Sequence, residues 1–368
     1  MAAGTLALAG CQTAPKPTEE PATSAPPPTA KPTPRAVERN EVALLVPLSG
    51  DNAGVGTSIA NAAKMALIDM DTQALRLTIY DTAGPGGARA AVNDALGAGS
   101  GLILGPLLSE NVRAVSPAAR QAGVPVIAFS NDEEVAGDGV YILGFTPSQS
   151  IARSVSWAKA QGAKEYSALV PSGEYGQRAS RAFLRSVDAA NGNVRALEVY
   201  NRQRAAIDAA VDKVKARGPV DAILIADSGR IASYAASRLQ LGGQLMGTEL
   251  WAAEDNLGQT RALQGAIYAA VPDNRFDQLV ARYRARYNVA PFRLASLGYD
   301  AMLLAVRASS NWPAGRPFPR EILRDRDGFG GVDGIFRFDR SGVAQRALEV
   351  RRVTASGIQT ADAAPSAF

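Results

Sequence analysis

Short apolar runs and helix-patterned stretches alternate along this chain, and that alternation restricts the fold more than any other feature. The runs are Val42–Leu48, Leu75–Tyr80, Gly101–Leu104, Val124–Phe129, Tyr166–Val170 and Ala222–Ala226. They are too short for helices and too uniformly apolar for strands with one wet face, so they read as parallel strands covered on both sides. Between them lie helical patterns over Thr57–Met70, Ala88–Leu96, Asn111–Gln121, Ser150–Ala160, Gly176–Ala189, Ile207–Lys215 and Arg230–Leu239. Gly or Pro marks most boundaries, as at Gly123-Val124-Pro125 and Gly162. The repetition predicts an α/β fold of parallel sheets flanked by helices.

The patterned part, about 330 residues, is too long for one comfortable core, so two lobes are expected. Residues 40–145 read as lobe 1 and residues 146–270 as lobe 2, with a crossing at Tyr141–Gly144. Ala266–Val271 starts a return to lobe 1 over residues 271–330, with helices at Phe276–Tyr287 and Ala295–Ser309. Residues 331–356 read as a return to lobe 2, in which Gly334–Gly342 is a strand and turn paired with Leu348–Val353, and residues 357–368 as a flexible tail. Such crossings make a hinge and leave a cleft between the lobes. Open α/β sheets bind ligands beyond the carboxyl ends of their strands, so both lobes would face that cleft.

The first 39 residues carry no such pattern. Cys11, the only cysteine in 368 residues, closes the run Leu6-Ala7-Leu8-Ala9-Gly10. The run resembles a bacterial lipobox, so residues 1–11 read as a lipoprotein signal and Cys11 as the lipidated residue; a buried free cysteine is the alternative. Met1–Gly10 holds no Lys or Arg, which predicts a basic segment encoded upstream of Met1. Residues 12–39 are a Pro-rich linker, extended at about 3.1 Å per residue, that would hold the folded part off its membrane. The implied address is the periplasm, lipid-anchored, and Gln12 after the cysteine favours the outer membrane by resemblance to Gram-negative lipoproteins.

The chain has no histidine. That removes the usual general base and the commonest metal ligand, and with Cys11 spoken for, Ser-His-Asp, Cys-His and zinc chemistry all fall away. No catalytic residue, metal or cofactor is expected. The net charge of +4 is mild, and no Lys/Arg run with interleaved aromatics speaks for nucleic acid. Gly50–Ser58 follows the first strand and opens a helix, but it lacks the Lys of a phosphate loop.

Five strand-end residues are candidates for ligand contact. Ser109 sits at an expected helix N-cap, where it either caps the helix or receives an anion such as a carboxylate. Ser130 and Asn131 end the strand Val124–Phe129; Glu133 and Glu134 beyond them read as solvated acids. Tyr175 offers a flat face and a hydroxyl, or simply packs on the surface. Glu249 either accepts from an ammonium group or stays exposed. Asp227-Ser228-Gly229 reads as a cap.

In this order the loops resemble those of the Leu/Ile/Val-binding proteins, the type I periplasmic binding fold. The resemblance rests on Pro47-Leu48-Ser49-Gly50, Gly105-Pro106-x-x-Ser109, Val124-Pro125-Val126-Ile127, Tyr175-Gly176 and Gly331-x-x-Gly334 with Phe338-Asp339. It implies that Ser109, Ser130 and Asn131 hold an α-carboxylate and α-ammonium on one wall and that Tyr175 and Glu249 close from the other. Two departures stand out: Val55 where many relatives have an aromatic, and the acids Asp132 and Glu133 where small residues are usual. A narrower resemblance, over Ile103–Leu107, Asn111-Val112, Ile127–Asp132 and Val135–Phe145, is to the lipoprotein activators of penicillin-binding proteins. It implies a non-enzymatic envelope lipoprotein whose partner is a cell-wall synthase. The other reading is a substrate-binding protein for amino acids of the branched-chain type, whose partner is an ABC permease.

Overall fold

The computed structural model describes Met1 and residues 39–240, 242–254 and 256–368. Cys11, the run before it and the Pro-rich linker up to residue 38 lie outside the described residues.

Five strands, β1 (Asn40–Val46), β2 (Leu75–Asp81), β3 (Ser100–Leu104), β4 (Val126–Ala128) and β5 (Val140–Ile142), form a parallel sheet in the order β2-β1-β3-β4-β5. Helices α1 (Ala53–Asp69), α2 (Gly87–Gly97) and α3 (Ser109–Gln121) alternate with the first four of these strands. Every residue from Val42 to Val46 is buried because both faces are covered. Ala43 and Leu45 point to a core shared with α2 and α3, Val42 and Leu44 to the core on the α1 side.

The chain then crosses to a second sheet. There α4 (Pro147–Ala160), β6 (Glu165–Pro171), α5 (Glu174–Ala189), β7 (Asn193–Tyr200), α6 (Arg204–Ala216), β8 (Ala222–Ile225), α7 (Gly229–Leu239), β9 (Gln244–Met246) and β10 (Ile267–Ala270) repeat the same plan. Pro147 starts α4 at its first turn, where a missing N–H costs nothing. In both lobes a glycine lets the first cleft-facing helix press on the strand before it. A Cβ on Gly56 would lie 1.7 Å from Pro47 O, and one on Gly176 1.6 Å from Pro171 O.

After β10 the chain returns. Helix α8 (Asn274–Tyr287) ends on Asn288 in a left-handed conformation, with Arg284 and Arg286 in its last turn, where cations suit the helix dipole. Helix α9 (Ala295–Ser309) lies against α1, and its Leu297, Met302 and Leu304 are buried, each worth about 1.5–3 kcal/mol. Strands β11 (Phe329–Gly331), β12 (Gly334–Phe338) and β13 (Ala344–Arg346) form a small antiparallel sheet. β14 (Glu349–Thr354) and β15 (Gly357–Asp362) complete the second sheet, in the order β15-β14-β10-β9-β8-β6-β7.

The C-terminal part differs from the sequence expectation in three ways. Residues 331–346 do not return to the second lobe, because Phe336, Phe338 and Ala344 are buried in the first lobe's core. β12 pairs with β11 and β13, not with Leu348–Val353, which pairs with β10 and β15. Residues 357–362 are a strand, tied down by β14 and by Arg153 to Asp362, and not a loose tail. β7 had no apolar run to announce it because its outward residues at the sheet edge are polar or exposed.

Candidate ligand-binding site

The chain passes between the two lobes three times, at residues 143–146, 271–273 and 347–348. Phe145, Val271 and Leu348, one from each passage, pack together with Ala269. Side chains also tie the passages to one another. Gln149 of α4 donates to Ala344 O at 2.7 Å and accepts from Arg346 N at 2.8 Å. Arg346 Nη2 donates to Leu143 O at 2.6 Å. Ser150 Oγ donates to Ala269 O at 2.7 Å.

On these passages rests a cavity of about 410 Å³, a size that suits a small solute. The first lobe contributes Val55, Leu107, Phe129 and Asn131, the second Glu249 and Leu250, and the passages Phe145, Val271 and Leu348. Arg293 and Arg346 also reach it.

Glu249 opens a 3-10 turn, Glu249–Ala253, anchored by fully buried Trp251, whose Nε1 donates to Asp227 O at 2.9 Å. Its Oε1 accepts from the Tyr175 hydroxyl at 3.0 Å, and that hydroxyl lies 2.9 Å from Thr248 Oγ1. Its Oε2 is hidden from solvent and has no hydrogen-bond partner. Burial pushes the carboxyl from 4.5 up to about 7. Burial and the Glu249 carboxylate together hold the Tyr175 phenol well above its ordinary value.

The five sequence candidates therefore separate. Asn131 and Glu249 line the cavity, and Tyr175 stands behind Glu249 as its hydrogen-bond donor. Ser130 is buried and turned away, its Oγ accepting from Asp132 N at 3.1 Å. Ser109 is the first residue of α3 and not its cap, which is Leu108 in an extended conformation. The Ser109 hydroxyl lies 3.4 Å from Arg113 Nη1, while Leu107 and Leu108 face the cavity. Asp227 is no simple cap either. It accepts from the Tyr200 hydroxyl, from Arg202 and from Ser228 N.

The acids after β4 join the lobes. Asp132, 1% exposed, lies 2.7 Å from Arg113 Nη2 and 3.5 Å from Arg178 Nε of α5. Glu134 pairs with Arg181, also of α5, at 2.5 Å, and Glu133 accepts from Ser148. Arg293 and Arg346 escaped the sequence reading altogether, and Phe145 entered it only as the end of the run Val135–Phe145, with no role at the site. The one available signal was position: Phe145 follows the expected crossing, and Arg293 precedes α9 at the cleft-facing end of a returning helix.

Among the described residues, no group of His, Cys, Asp and Glu is placed to hold a metal ion, and no helix is long and apolar enough to cross a membrane.

Two α/β lobes, crossed three times and closing on a small apolar cavity, define a periplasmic-type binding protein. The chain belongs to the periplasmic binding protein family, which matches residues 41–357, a family of binders and not of catalysts. It is 26% identical to the penicillin-binding protein activator LpoA of Mannheimia succiniciproducens over 290 residues, 72% of this chain and 47% of that one. The chain spans about half the length of the curated relatives it matches. Among solved structures, it superposes on a putative branched-chain amino acid ABC transporter protein from Rhodospirillum rubrum with a TM-score of 0.77 at 19% identity, covering 88% of this chain and 99% of that one. It superposes on a solute binding protein from Rhodopseudomonas palustris, in complex with 3,4-dihydroxybenzoic acid, with a TM-score of 0.69 at 20% identity, covering 90% and 97%. These similarities show the type I fold with its two lobes and parallel sheets.

Proposed function

We propose that this protein is the solute receptor of an ABC importer and that its solute is amino-acid-like, with an ammonium group received by Glu249. One observation carries the reading: Glu249 lines the cavity, and its Oε2 is withdrawn from water and without a partner. An unpaired buried acceptor is costly, and a ligand N–H would remove that cost. In this reading Asn131 contacts the solute, Tyr175 orients Glu249, and Ser109 and Ser130 act only through the loops they hold. The solute bridges the lobes and draws an open–closed equilibrium to the closed side. The structural neighbours, one a putative branched-chain amino acid transporter protein and one holding 3,4-dihydroxybenzoic acid, support a small organic solute.

The test is a thermal-shift and calorimetry screen of free amino acids and aromatic acids against the wild type and Glu249→Gln. A ligand at 100 times its Kd adds about 2.7 kcal/mol to the folded state. A hit that weakens about tenfold or more in Glu249→Gln supports the reading; a hit that ignores the substitution removes Glu249 from the site.

Similarity to the penicillin-binding protein activator over 72% of this chain favours a second reading, an envelope lipoprotein anchored at Cys11 that regulates a cell-wall synthase. A flat solute screen together with direct binding of a penicillin-binding protein would support it. Permease and ATPase genes beside this one would favour transport.

A further inference from the structure

Helices α1 and α8 are tied to each other on the first lobe. Asn61 Nδ2 donates to the Tyr283 hydroxyl at 3.0 Å, and Arg282 Nη1 donates to Asp69 Oδ2 at 2.7 Å. Between them runs an open groove of about 340 Å³, lined by Met65, Asp69, Arg282, Ala285 and Arg286. Two apolar side chains of the last turn of α1 stand in water beside it: Ile68 is 52% exposed and Met70 50%. Lys64, one turn before Ile68, and Arg286, one turn after Arg282, are exposed, and neither has an ion-pair partner among the described residues. Asp69 is already engaged, by Arg282 and by the Tyr299 hydroxyl at 2.7 Å, and Asp71 lies beyond Met70 at the helix end. Single exposed apolar side chains are ordinary, but here two apolar anchors adjoin free cations, which is the composition of a membrane-surface contact.

Position in the fold decides between occupants. Met70 leads into the turn at residues 71–74, where Arg39 Nη2 donates to Gln73 Oε1 at 2.7 Å and Asn40 N donates to Ala74 O at 2.9 Å. The described body therefore begins close to Met70, and the sequence before Arg39 leads back through the Pro-rich stretch to Cys11, which carries the lipidation signature. The cavity lies at the other, carboxyl ends of β1, β3 and β4. A bilayer needs only shallow apolar anchors and a few cations. A stable protein interface needs about 800 Å² per partner around an apolar centre, whereas the Arg282–Asp69 pair crosses the middle of this groove.

We propose that this face of the first lobe, made by Lys64, Ile68, Met70 and Arg286, docks on an anionic lipid surface, the two apolar side chains entering the headgroup region and the two cations meeting its phosphates. Lipid phosphates attract Lys and Arg over a few ångströms of water, and the attraction falls away within a screening length. The contact is a property of the folded body and not of an acyl chain, and it leaves the cavity at the far end of the strands facing away from the bilayer. It holds whether the cleft serves a solute or the protein serves a cell-wall synthase.

The experiment floats the full chain carrying Cys11→Ser, which removes the site of any acyl anchor, with phosphatidylcholine vesicles and with vesicles in which about one third of that lipid is phosphatidylglycerol. The anionic vesicles should bind it at least about tenfold tighter than the neutral ones at low salt, and 1 M salt, with a screening length of about 3 Å, should abolish the difference. Lys64→Glu with Arg286→Glu should abolish it too. Lys215→Glu with Arg217→Glu, the same change of charge at the end of α6 in the second lobe, should keep it. Ile68→Ser with Met70→Ser should weaken binding to anionic vesicles by about tenfold and leave its salt sensitivity in place. Equal binding to both kinds of vesicle, binding to neither, or equal loss in the two charge-reversed variants overturns the proposal. Binding of polyglutamate but not of vesicles gives the face to an acidic protein, and a dimer in sedimentation that Ile68→Ser dissolves gives it to a second copy; either result overturns membrane docking. Thermal midpoints check that each variant folds, and Lys64→Gln with Arg286→Gln stands in should the reversed pair fail. None of these residues lines the cavity, so solute binding should be the same in every variant, and its loss or absence bears on the receptor reading alone.

Discussion

Arg178 Nη1 of the second lobe donates to Asn131 Oδ1 of the first at 3.1 Å. Asn131 also lines the cavity, so this hydrogen bond closes the molecule beside the place a solute would occupy. Arg178 meets buried Asp132 as well, and Arg181 meets Glu134 a turn further along α5. The acids that depart from the usual run of small residues after β4 thus have a mechanical use, as partners for arginines across the cleft.

Arg178→Ala should loosen that closure. The unliganded variant is expected to show a larger radius of gyration by small-angle X-ray scattering than wild type, and to lose about 1–3 kcal/mol of stability through the half-abandoned Asp132. Raising salt to 1 M, where the screening length is about 3 Å, should open the wild type in the same direction by weakening the exposed Arg181–Glu134 pair. An unchanged radius in both experiments would show that these contacts do not hold the lobes.

Glu249 sets a pH dependence of known sign. Its native pKa, about 7, lies above the ordinary 4.5, so the folded state holds this proton while the unfolded chain gives it up. Its contribution is full below about pH 4.5 and is lost as pH rises through about 7. At about 1.4 kcal/mol per pKa unit the loss reaches about 3 kcal/mol. Glu249→Gln should therefore match wild type in urea unfolding near pH 4.5 and exceed it by up to that amount at pH 8. Equal stability at both pH values would mean that water reaches Oε2.

Gly144 lies in the first passage between lobes, and a Cβ there would sit 2.1 Å from Ser130 O. Gly144→Ala must push the passage away from the end of β4. Overpacking of this kind costs about 1–3 kcal/mol, and here it should also weaken solute binding, because Phe145 follows directly. Binding that survives a lowered midpoint would separate the passage from the site.

Trp251 fixes the turn that presents Glu249. Trp251→Ala should cost about 3–5 kcal/mol, whereas Trp251→Phe keeps most of the packing and gives up chiefly the bond to Asp227 O. In denaturant titrations the alanine variant should unfold well before the phenylalanine one.

How much of this was legible in the sequence depended on whether burial and polarity agreed. The runs Val42–Leu48 and Tyr166–Val170 announced β1 and β6 because parallel strands covered on both faces must be apolar throughout. β13 gave no such signal. Its Arg346 reads as a surface residue, and nothing local shows that the strand turns it inward onto Phe145 and Phe336. Glu249 was found by its place after a strand. Arg293, ahead of a helix far along the chain, owes its position in the cleft to the packing of α9 on α1, a contact across more than 200 residues of sequence. The same long-range pairing misled the reading of residues 331–346, whose three strands are attached to the first lobe by Phe336 and Phe338 and not by sequence proximity to β14.

Phe145, Val271 and Leu348 make the floor of the cavity and sit on the three passages, so in the receptor reading they are the points about which the lobes would turn. A molecule resting there works on the shortest possible lever arm. A difference of a fraction of an ångström in its girth is magnified toward the rim, where Arg178 must reach Asn131. Two solutes with the same charges and unequal width would thus be told apart by the angle at which the jaws stop, and a docking partner that feels only the outer surface could distinguish them without ever touching either.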